Sequence, residues 1–500
     1  MKKIGIIDIG SNSMRLVVIK INDDLSYRVI DEKKETVKLG MDMTYDGNLS
    51  RDRVDKAMIS LSFFKDMCIA IGVDEIIAVA TEAVRRARNQ QYFVERAKDM
   101  LGIEIKVLSG KEEAFYDYFG AVNTLDFNDA LIMDIGGCSN QLILVKDKKI
   151  IESVSLPFGS LNLSEKFHLK EAVNEQNEND FITYLADEYN KIPWLNKAKG
   201  LPLIGIGGTI RGIGKINRKR NHYLLEMPHN YKMEIRDIKD IYELVKSKDV
   251  SQKQKLKGLS KDRADIFTGA VGAIAHLAEL CEASEILVSG SGLREGLFFE
   301  YLFKDKKPLT DVLDYSINNI VNDFELDKLH AQRVWSFSKM LYFNLKDAHN
   351  IGEAPQKILK TASLLHDCGV NISYYDHHRH SFYMILNAKT YGLTHKEQLM
   401  AAHISAFHRK EEFKIDTYKY RNILNEADIL TIQKLGVLLK ISECLDERLN
   451  GNIQGIQCSI DEDSVTIKLS SKDNPEIEIK DALEVSSAFK KLFGKKLYIK

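Results

Sequence analysis

A short motif that occurs twice constrains the fold of this chain more than any other feature of its sequence. The first copy runs from Asp8 to Leu16 and the second from Asp134 to Leu142, an offset of 126 residues (134 less 8). Each copy follows one apolar run and precedes another, which is the pattern of a strand, a tight polar turn and a second strand. Two such hairpins in register predict two related half-domains that hold one ligand between them.

The residue types in these turns indicate an anionic ligand. Glycine and other small residues let backbone N–H groups come close to a phosphate, and serine hydroxyls add donors. An aspartate at the end of the preceding strand can hold a cation or a water molecule. The repeated turns therefore predict a site for a polyanion.

Bulk composition limits the remaining function classes. The chain has 500 residues, enough for three or four domains of roughly 100–200 residues each. Its formal net charge of −1 gives no support to nucleic-acid binding or to a membrane-surface role. Six cysteines without metal-type spacing favour reduced thiols and a cytoplasmic location. No signal-peptide pattern or long apolar run is present, so we expect neither export nor membrane insertion.

Strand and helix patterns alternate through the first 300 residues and carry further motifs. The segment Ala80–Asn89 places arginines after a buried strand, either against a ligand or on a solvated helix face. At Glu112 and Glu113 two adjacent carboxylates open a helix, either as complements of its dipole or with one acting as a water-activating base. Glycine-rich turns at 207–214 and 289–296 end later strands. The basic cluster at 215–220 is either solvated or a surface for a polyanion.

Together these motifs resemble the exopolyphosphatase/guanosine pentaphosphate phosphohydrolase family, in the right order over residues 4–300. That family belongs to the actin, hexokinase and heat-shock-protein-70 fold superfamily. The resemblance implies a multidomain α/β protein with two ribonuclease-H-like (actin-like) lobes and a cleft between them. It also implies a Mg²⁺ or Mn²⁺ ion, a homodimer, and release of terminal phosphate from linear polyphosphate or guanosine pentaphosphate.

The resemblance also assigns roles to single residues. It makes Glu113 the catalytic glutamate, Arg85 a phosphate-contacting arginine and Asp134 the metal-facing aspartate, with Asp8 sharing the metal or positioning the first turn. The residues that we expect to bind phosphate are Ser11, Asn12, Ser13, Gly136, Gly137, Cys138, Ser139, Gly207, Gly208, Thr209 and Arg294.

The second turn departs from the family pattern Asp-Ile-Gly-Gly-Gly-Ser-Thr-Glu. Cys138 replaces the third glycine, Asn140 the threonine and Gln141 the glutamate. An amide can orient a water molecule but can neither take a proton nor neutralise a cation. We expect the change at Gln141 to lower turnover or metal affinity and to leave anion binding intact.

After Pro308 the chain becomes helical and rich in histidine. Nine of the 13 histidines lie between His330 and His408. His330, then His366-Asp367, then Asp446 on separate helices resemble the HD metal-dependent phosphohydrolase domain, which implies a second divalent metal. The alternatives are histidines that pack helices through hydrogen bonds, or that bind anions. A polyphosphate channel would be lined by His377, His378, His380, His403, His408, Arg409 and Lys410.

Four domains are expected: actin-like lobe I at 1–123, actin-like lobe II at 124–303, an all-α HD-like domain at 304–454, and a small α+β domain at 455–500. In the last domain, Ile477–Ile479 is predicted as a strand and Ala482–Phe493 as a helix. Longer helices are predicted at Asp262–Ala283 and Leu435–Leu449.

Four functional hypotheses follow. The first is an exopolyphosphatase, and the second is a guanosine pentaphosphate phosphohydrolase with the same motifs. The third is a sensor that binds polyphosphate or the alarmone with weak catalysis, because Gln141 replaces the glutamate. The fourth is hydrolysis at the HD-like site. A kinase is disfavoured, because the resemblance through Arg85 and Ser109–Ala114 is to the hydrolases.

Overall fold

Both copies of the repeated motif form antiparallel hairpins, as predicted, and each hairpin belongs to a sheet of its own. The computed structural model describes residues 1–41, 47–409 and 415–500. They form an α/β unit, Met1–Val312, and a mainly helical unit, Leu313–Lys500. Among these residues, no helix is long and apolar enough to cross a membrane.

The first sheet of the α/β unit has five strands in the order β3-β2-β1-β4-β5. The elements of this half are β1 (Lys2–Ile9), β2 (Met14–Ile21), β3 (Tyr27–Glu35), α1 (Arg51–Ile71), β4 (Glu75–Ala80), α2 (Glu82–Arg86), α3 (Gln90–Leu101), β5 (Ile105–Val107) and α4 (Gly110–Val122). Strands β1, β2 and β3 form an antiparallel meander, and β4 and β5 extend the sheet in parallel from β1.

The second sheet repeats this plan in the order β8-β7-β6-β9-β11-β10. The elements are β6 (Ala130–Ile135), β7 (Asn140–Lys146), β8 (Lys149–Leu156), α5 (Ser160–Lys166), α6 (Glu175–Asn190), β9 (Leu203–Ile206), α7 (Gly207–Arg220), β10 (Tyr231–Met233), α8 (Ile235–Lys246), α9 (Val250–Lys253), α10 (Phe267–Leu280), β11 (Ile286–Val288) and α11 (Leu293–Phe303). Short 3₁₀ turns lie at Pro193–Ala198 and Lys261–Arg263. The duplication predicted from the motif is therefore confirmed at the level of sheet topology.

Burial explains why the strands that precede the two turns are so apolar. Strand β1 lies between β2 and β4, and β6 lies between β7 and β9, so each is a central strand of its sheet. Such strands are covered on both faces and read as continuous apolar runs. Because the polar turn follows immediately, the site residues stand at the end of a rigid, buried strand.

Helices α4 and α11 approach closely at two glycines. A Cβ atom added to Gly120 would lie 2.2 Å from the carbonyl oxygen of Gly292, and one added to Gly296 would lie 2.0 Å from that of Tyr116. Any larger residue at either position would push the helices apart. This contact fixes the start of α4 relative to the start of α11, and both helix starts carry site residues.

The helical unit contains ten helices or turns of α type within the described residues, with a small sheet near its C-terminal end. They are α12 (Val312–Asp323), α13 (Lys328–Asn344), α14 (Lys346–His349), α15 (Gln356–Leu365), α16 (His377–Asn387), α17 (His395–Ala406), α18 (Thr417–Tyr420), α19 (Glu426–Cys444), α20 (Glu476–Leu483) and α21 (Ser486–Phe493). The strands are β12 (Ile453–Ile460), β13 (Ser464–Ser471) and β14 (Lys496–Ile499), and a 3₁₀ turn covers Cys368–Asn371. Helices and sheet share one hydrophobic core.

Four predicted elements differ from the structure, and one of them is the helix predicted at Ala482–Phe493, which is divided between α20 and α21. The strand predicted at Ile477–Ile479 is wrong, because these residues lie in α20. Their alternation with glutamates imitates a strand, but buried Glu478 accepts hydrogen bonds from Arg448 and holds the segment as a helix. The predicted helix from residue 262 begins only at Phe267, and α19 ends at Cys444, so Asp446 follows that helix.

Candidate active site

Both hairpin turns line one cavity of about 150 Å³ in the α/β unit. The sequence-predicted residues among its lining are Asp8, Ser11, Asn12, Ser13, Glu113, Asp134, Gly136, Gly137, Ser139, Gly207, Gly208 and Arg294. Residues more than 100 positions apart in the chain thus meet at one site, as the repeated motif led us to expect.

The two turns have the same local structure and touch each other. The N–H of Gly10 donates to the carbonyl of Ser13 over 3.2 Å, and the N–H of Gly136 donates to that of Ser139 over 2.9 Å. A Cβ added to Gly137 would lie only 2.9 Å from the Cβ of Ser11. Glycine is therefore required at this position for the turns to meet.

The structure separates the roles of the two adjacent glutamates at the start of α4. Glu112 completes a capping box: its backbone N–H donates to the Ser109 hydroxyl, and its carboxylate accepts from the Ser109 N–H over 2.9 Å. This cap and the Lys106 ammonium lower the pKa of Glu112 to about 2. Glu113, one residue on, points to the cavity and is 8% exposed.

Glu113 is a buried carboxylate with one cationic partner. Arg85 donates to its Oε2 over 2.8 Å, and Arg85 is also bonded to Glu82 and to the carbonyl of Leu108. Burial raises the pKa of Glu113 to about 7, against the opposing charge of Arg85. A carboxylate with this pKa exchanges protons near neutral pH, as a general base must.

Three aspartates extend this acidic cluster. Asp8 and Asp134 line the cavity at the ends of β1 and β6, and Asp117 lies on α4 one helical turn after Glu113. Burial, together with the charge of Asp8, raises the pKa of Asp134 to about 6. The pKa of Asp117 is raised well above its usual value by burial and by the charges of Asp134 and Glu113. Several negative charges thus crowd together out of water.

Asp117 is a site residue that the sequence analysis missed. Its side chain is completely buried, beside the carboxylate of Asp134 and the backbone N–H of Leu293. The available signal was its spacing, because residues i and i+4 share a helix face and Asp117 follows Glu113 at that distance.

Four arginines face the acidic cluster from the cavity lining, and three of them were also missed. They are Arg15, Arg211, Arg263 and Arg294. Arg15 was detectable from the repeat, since β1 pairs with β2 so that Arg15 stands directly opposite Asp8. Burial lowers the pKa of Arg211 to about 10, and the other arginines add to this effect. These four arginine side chains suit a ligand with several negative charges.

Three predicted residues do not line the cavity. Thr209 is buried at the start of α7, and Cys138 lies beside Gly40, where an added Cβ would come within 2.7 Å of its Sγ. Arg85 stands behind Glu113 rather than in the cavity lining. Burial raises the pKa of the Cys138 thiol to about 11, so this cysteine is a packing group and not a nucleophile.

Gln141 also lies outside the lining but faces the same side of its sheet as Asp134. The two residues are directly paired across β6 and β7, as Asp8 and Arg15 are across β1 and β2. Gln141 is 1% exposed, and its amide nitrogen and oxygen have no hydrogen-bond partner among the described residues. A buried amide without a partner costs about 1–3 kcal/mol.

The carboxylates of the cavity fit a magnesium ion that the substrate helps to hold. Within the described residues, no three metal-ligating atoms from these side chains lie within 4.8 Å of one another. Mg²⁺ is commonly held by one or two carboxylates, with phosphate oxygens and water completing the shell. Asp8 and Asp134, both exposed to the cavity, fit that role.

In the helical unit, the predicted HD-type residues also come together. His330, His366 and Asp367 lie within one group of candidate metal-ligating atoms, and Asp367 is shared with a second group formed with His377 and His408. Asp446 stands behind His330, accepting a hydrogen bond from its Nδ1 over 2.9 Å. Of the predicted channel residues, His378 is buried and His380 half-buried on α16, Arg409 is partly exposed, and Lys410 lies outside the described residues.

Two family models match consecutive parts of this sequence. The model of the Ppx/GppA phosphatase family matches residues 17–305, and that of Ppx/GppA phosphatase domain III matches residues 312–482. The chain belongs to the Ppx/GppA phosphatase family. Family membership agrees with the resemblance seen in the motifs, and it extends the match into the helical unit.

Curated relatives in this family match over most of their length. A guanosine-5'-triphosphate,3'-diphosphate pyrophosphatase of Aeromonas hydrophila is 24% identical over 477 residues, which covers 93% of this chain and 92% of the relative. A protein of the same name from Pseudoalteromonas translucida is 27% identical over 412 residues, covering 81% of this chain and 80% of the relative.

Solved structures support the fold. An exopolyphosphatase from Cytophaga hutchinsonii is 25% identical with a TM-score of 0.57, and the match covers 61% of this chain and 98% of that structure. The Aquifex aeolicus member of the Ppx/GppA family is 28% identical with a TM-score of 0.53, with the same coverage. The expected actin-like fold is thereby confirmed for the part of the chain that these structures cover.

Proposed function

We propose that this Ppx/GppA protein hydrolyses the terminal phosphoryl group of linear inorganic polyphosphate in the cavity of its α/β unit. The observation that carries the proposal is the position of Glu113. This buried carboxylate, with its pKa raised to about 7, lines the same cavity as both anion-binding turns and four arginines. A base, an anion site and cationic groups are the components that phosphoryl transfer asks of a protein.

In the proposed reaction, a water molecule attacks the terminal phosphorus in line with the bridging oxygen. Glu113 accepts a proton from that water as the new P–O bond forms. The bond from phosphorus to the bridging oxygen breaks, and its electron pair stays on the shortened chain. The arginines and the backbone N–H groups of the two turns hold the phosphate oxygens and stabilise the charge that develops on them.

Asp8 and Asp134 would hold the magnesium ion that this family's chemistry implies. When bound, such an ion neutralises phosphate charge and polarises the phosphoryl group. The deep burial of the acidic cluster favours this assignment, because burial raises the pKa of Asp8 and of Asp134 and a bound cation would stabilise their ionised forms.

We further propose that Asp117 supplies the carboxylate that Gln141 does not. Gln141 is paired with Asp134 across the hairpin, and the charge of Asp134 is the largest charge effect on Asp117. The two side chains therefore flank the same aspartate from different elements. In this arrangement a carboxyl group stands beside Asp134 although the second turn has lost its glutamate.

Guanosine pentaphosphate is the second candidate substrate. The relatives that match over nearly the whole chain carry the name of that activity, whereas the exopolyphosphatase name comes from a solved structure that covers 61% of this chain. A sensor with weak turnover is the third candidate, supported by the unpaired amide of Gln141.

Phosphate release from polyphosphate and from guanosine pentaphosphate separates these candidates when measured on the wild type, Glu113→Gln and Asp367→Asn. We expect release from polyphosphate by the wild type and by Asp367→Asn, and release slower by a factor of about 10²–10⁴ by Glu113→Gln. Faster release from the guanosine compound would favour the second candidate. Binding of both compounds without release would favour the sensor, and activity lost only in Asp367→Asn would place the chemistry in the helical unit.

A further inference from the structure

Four histidines of the helical unit point one ring nitrogen each toward the carboxylate of Asp367. On one side, the Nε2 atoms of His330 and His366 lie 3.7 and 3.4 Å from Oδ2. On the other side, the Nε2 atoms of His377 and His408 lie 3.2 and 3.5 Å from Oδ1. All four rings are buried, with exposures of 6, 1, 3 and 0%.

The opposite nitrogen of each ring shows which tautomer is present. Nδ1 of His366 lies 2.8 Å from the carbonyl of Ser363, and Nδ1 of His377 lies 2.8 Å from that of Tyr374. Nδ1 of His408 likewise faces the carbonyl of Ser405. A carbonyl oxygen only accepts hydrogen bonds, so these three Nδ1 atoms must carry the proton.

His330 follows the same rule through a carboxylate. Its Nδ1 lies 2.9 Å from Asp446, which is buried and also held by Arg333 and by the backbone N–H of Gly451. In the neutral rings, every Nε2 atom in the cluster therefore presents a lone pair. A carboxylate or carbonyl on the far nitrogen is the usual arrangement behind a metal-binding histidine.

The distances between these lone pairs require a positive charge, which a metal ion or a shared proton can supply. The Nε2 atoms of His377 and His408 are 2.8 Å apart, and those of His330 and His366 are 3.3 Å apart. Neither nitrogen of a neutral pair can donate to the other, so the contacts are repulsive without a positive charge between them. The cluster contains two such pairs, and each pair faces a different oxygen of one carboxylate.

From this geometry we propose that the helical unit binds two divalent transition-metal ions bridged by Asp367. One ion is held by His330, His366 and Oδ2 of Asp367, and the other by His377, His408 and Oδ1. The site goes beyond the single-metal set expected from the sequence, because His377 and His408 become ligands. Asp446 becomes the group that orients His330.

The donor set indicates the class of metal. Four imidazoles and one carboxylate favour Mn²⁺, Fe²⁺ or Zn²⁺ over Mg²⁺, which prefers oxygen ligands. Each ion receives three protein ligands, and the Asp367 side chain is 37% exposed. Positions therefore remain open to water or an anion, which is the arrangement of a reactive metal centre rather than of a structural one.

The test uses the full-length chain, stripped of metal and titrated with Mn²⁺. Two ions bridged by a carboxylate, roughly 3.5–4 Å apart, give an exchange-coupled electron paramagnetic resonance spectrum, whereas isolated ions do not. We expect this spectrum in the wild type and in Asp134→Asn, which alters only the cavity of the α/β unit. We expect its loss in Asp367→Asn, and an isolated-ion spectrum in His377→Ala.

His380→Ala is the matched control, because His380 lies on the same helix as His377 and outside both ligand groups. It should keep the coupled spectrum. Thermal unfolding of each variant checks folding, and His377→Gln preserves side-chain volume if the alanine variant does not fold. A wild type that shows only isolated ions or no bound Mn²⁺, or a coupled spectrum that persists in Asp367→Asn, overturns the proposal.

Discussion

Glu113 and Arg85 form an ion pair of 2.8 Å in which only the carboxylate lines the cavity. Arg85 is further held by Glu82 and by the Leu108 carbonyl, so its position is independent of any ligand. Desolvation outweighs this pairing, since the pKa of Glu113 is raised to about 7 despite the adjacent cation. Arg85 thus acts on the carboxylate from behind, and the cavity side of Glu113 stays available for water.

Replacing this carboxylate should remove activity with little change of structure. We expect Glu113→Gln to lower phosphate release by a factor of about 10²–10⁴, the usual contribution of a general base. Glu112→Gln is the matched control, because Glu112 serves the helix cap and not the cavity. The control should keep activity within about twofold and the free energy of unfolding nearly unchanged, because glutamine also completes a capping box. Equal losses of activity in both variants would contradict the assignment.

The pH dependence of catalysis should report the same group. Glu113 accepts a proton only when ionised, and its pKa is about 7. The rate should therefore rise about tenfold per unit below pH 7 and level off above it. Values of kcat/KM for phosphate release between pH 5 and 9 measure this profile, because kcat/KM reports the pKa of the free enzyme. A rate that is flat from pH 5 to 7 would exclude Glu113 as the base.

The free energy of unfolding should fall as the pH rises, whereas the rate of catalysis increases. A buried carboxyl group with a raised pKa stabilises the folded state below its unfolded pKa, near 4.5, and this stabilisation is lost as the pH rises through about 7. Glu113→Gln removes the ionisation, so its gain over the wild type should grow from near zero at pH 4.5 to as much as about 3 kcal/mol at pH 8. Urea unfolding at both pH values measures the difference. A gain that does not change with pH would contradict the raised pKa.

The proposal that Asp117 supplies the carboxylate missing at position 141 can be tested by removing the carboxylate from Asp117 and adding one at Gln141. We expect Asp117→Asn to weaken Mn²⁺ binding in the α/β cavity by roughly tenfold, about 1.4 kcal/mol, because it removes a carboxyl group that would ionise when a cation binds. Adding Gln141→Glu should restore the affinity. Titrations are read in an Asp367→Asn background, which removes the site of the helical unit. Wild-type affinity in Asp117→Asn would show that Asp117 takes no part.

The arginines of the cavity should govern substrate affinity. Arg211 lines the cavity near the start of α7, where its Nε donates to the Gly207 carbonyl, whereas Arg220 is exposed at the end of the same helix. Arg211→Ala should raise KM for polyphosphate by roughly 10- to 100-fold, since a charged hydrogen bond contributes about 1.5–3 kcal/mol. Arg220→Ala should leave KM unchanged. An equal effect of both would instead assign binding to the basic cluster at 215–220.

The differences between expectation and structure have identifiable causes. The hairpin turns were predictable because apolar strands and glycine-rich turns follow local rules, and the 126-residue offset (134 less 8) linked the two copies. The prediction at Ile477–Ile479 was wrong because apolar residues that alternate with glutamates occur both in strands and at helix starts. The Arg448–Glu478 contact, which favours the helix, joins residues that are far apart in the sequence. Arg263 had no sequence signal, since it lies in a 3₁₀ turn far along the chain from either motif.

By itself, the sequence indicated which segments form the candidate sites: two glycine-rich turns, a helix opened by two glutamates, and an array of histidines with Asp367. Only the tertiary structure decided which glutamate faces the cavity, that Arg85 stands behind it, and that Asp117 joins the acidic cluster. In the helical unit, it likewise decided that His377 and His408 share Asp367 with the other two histidines. The physical reason is that turns and caps arise from interactions between near neighbours in the chain. Burial, pKa and metal-ligand convergence depend instead on which distant side chains exclude water together.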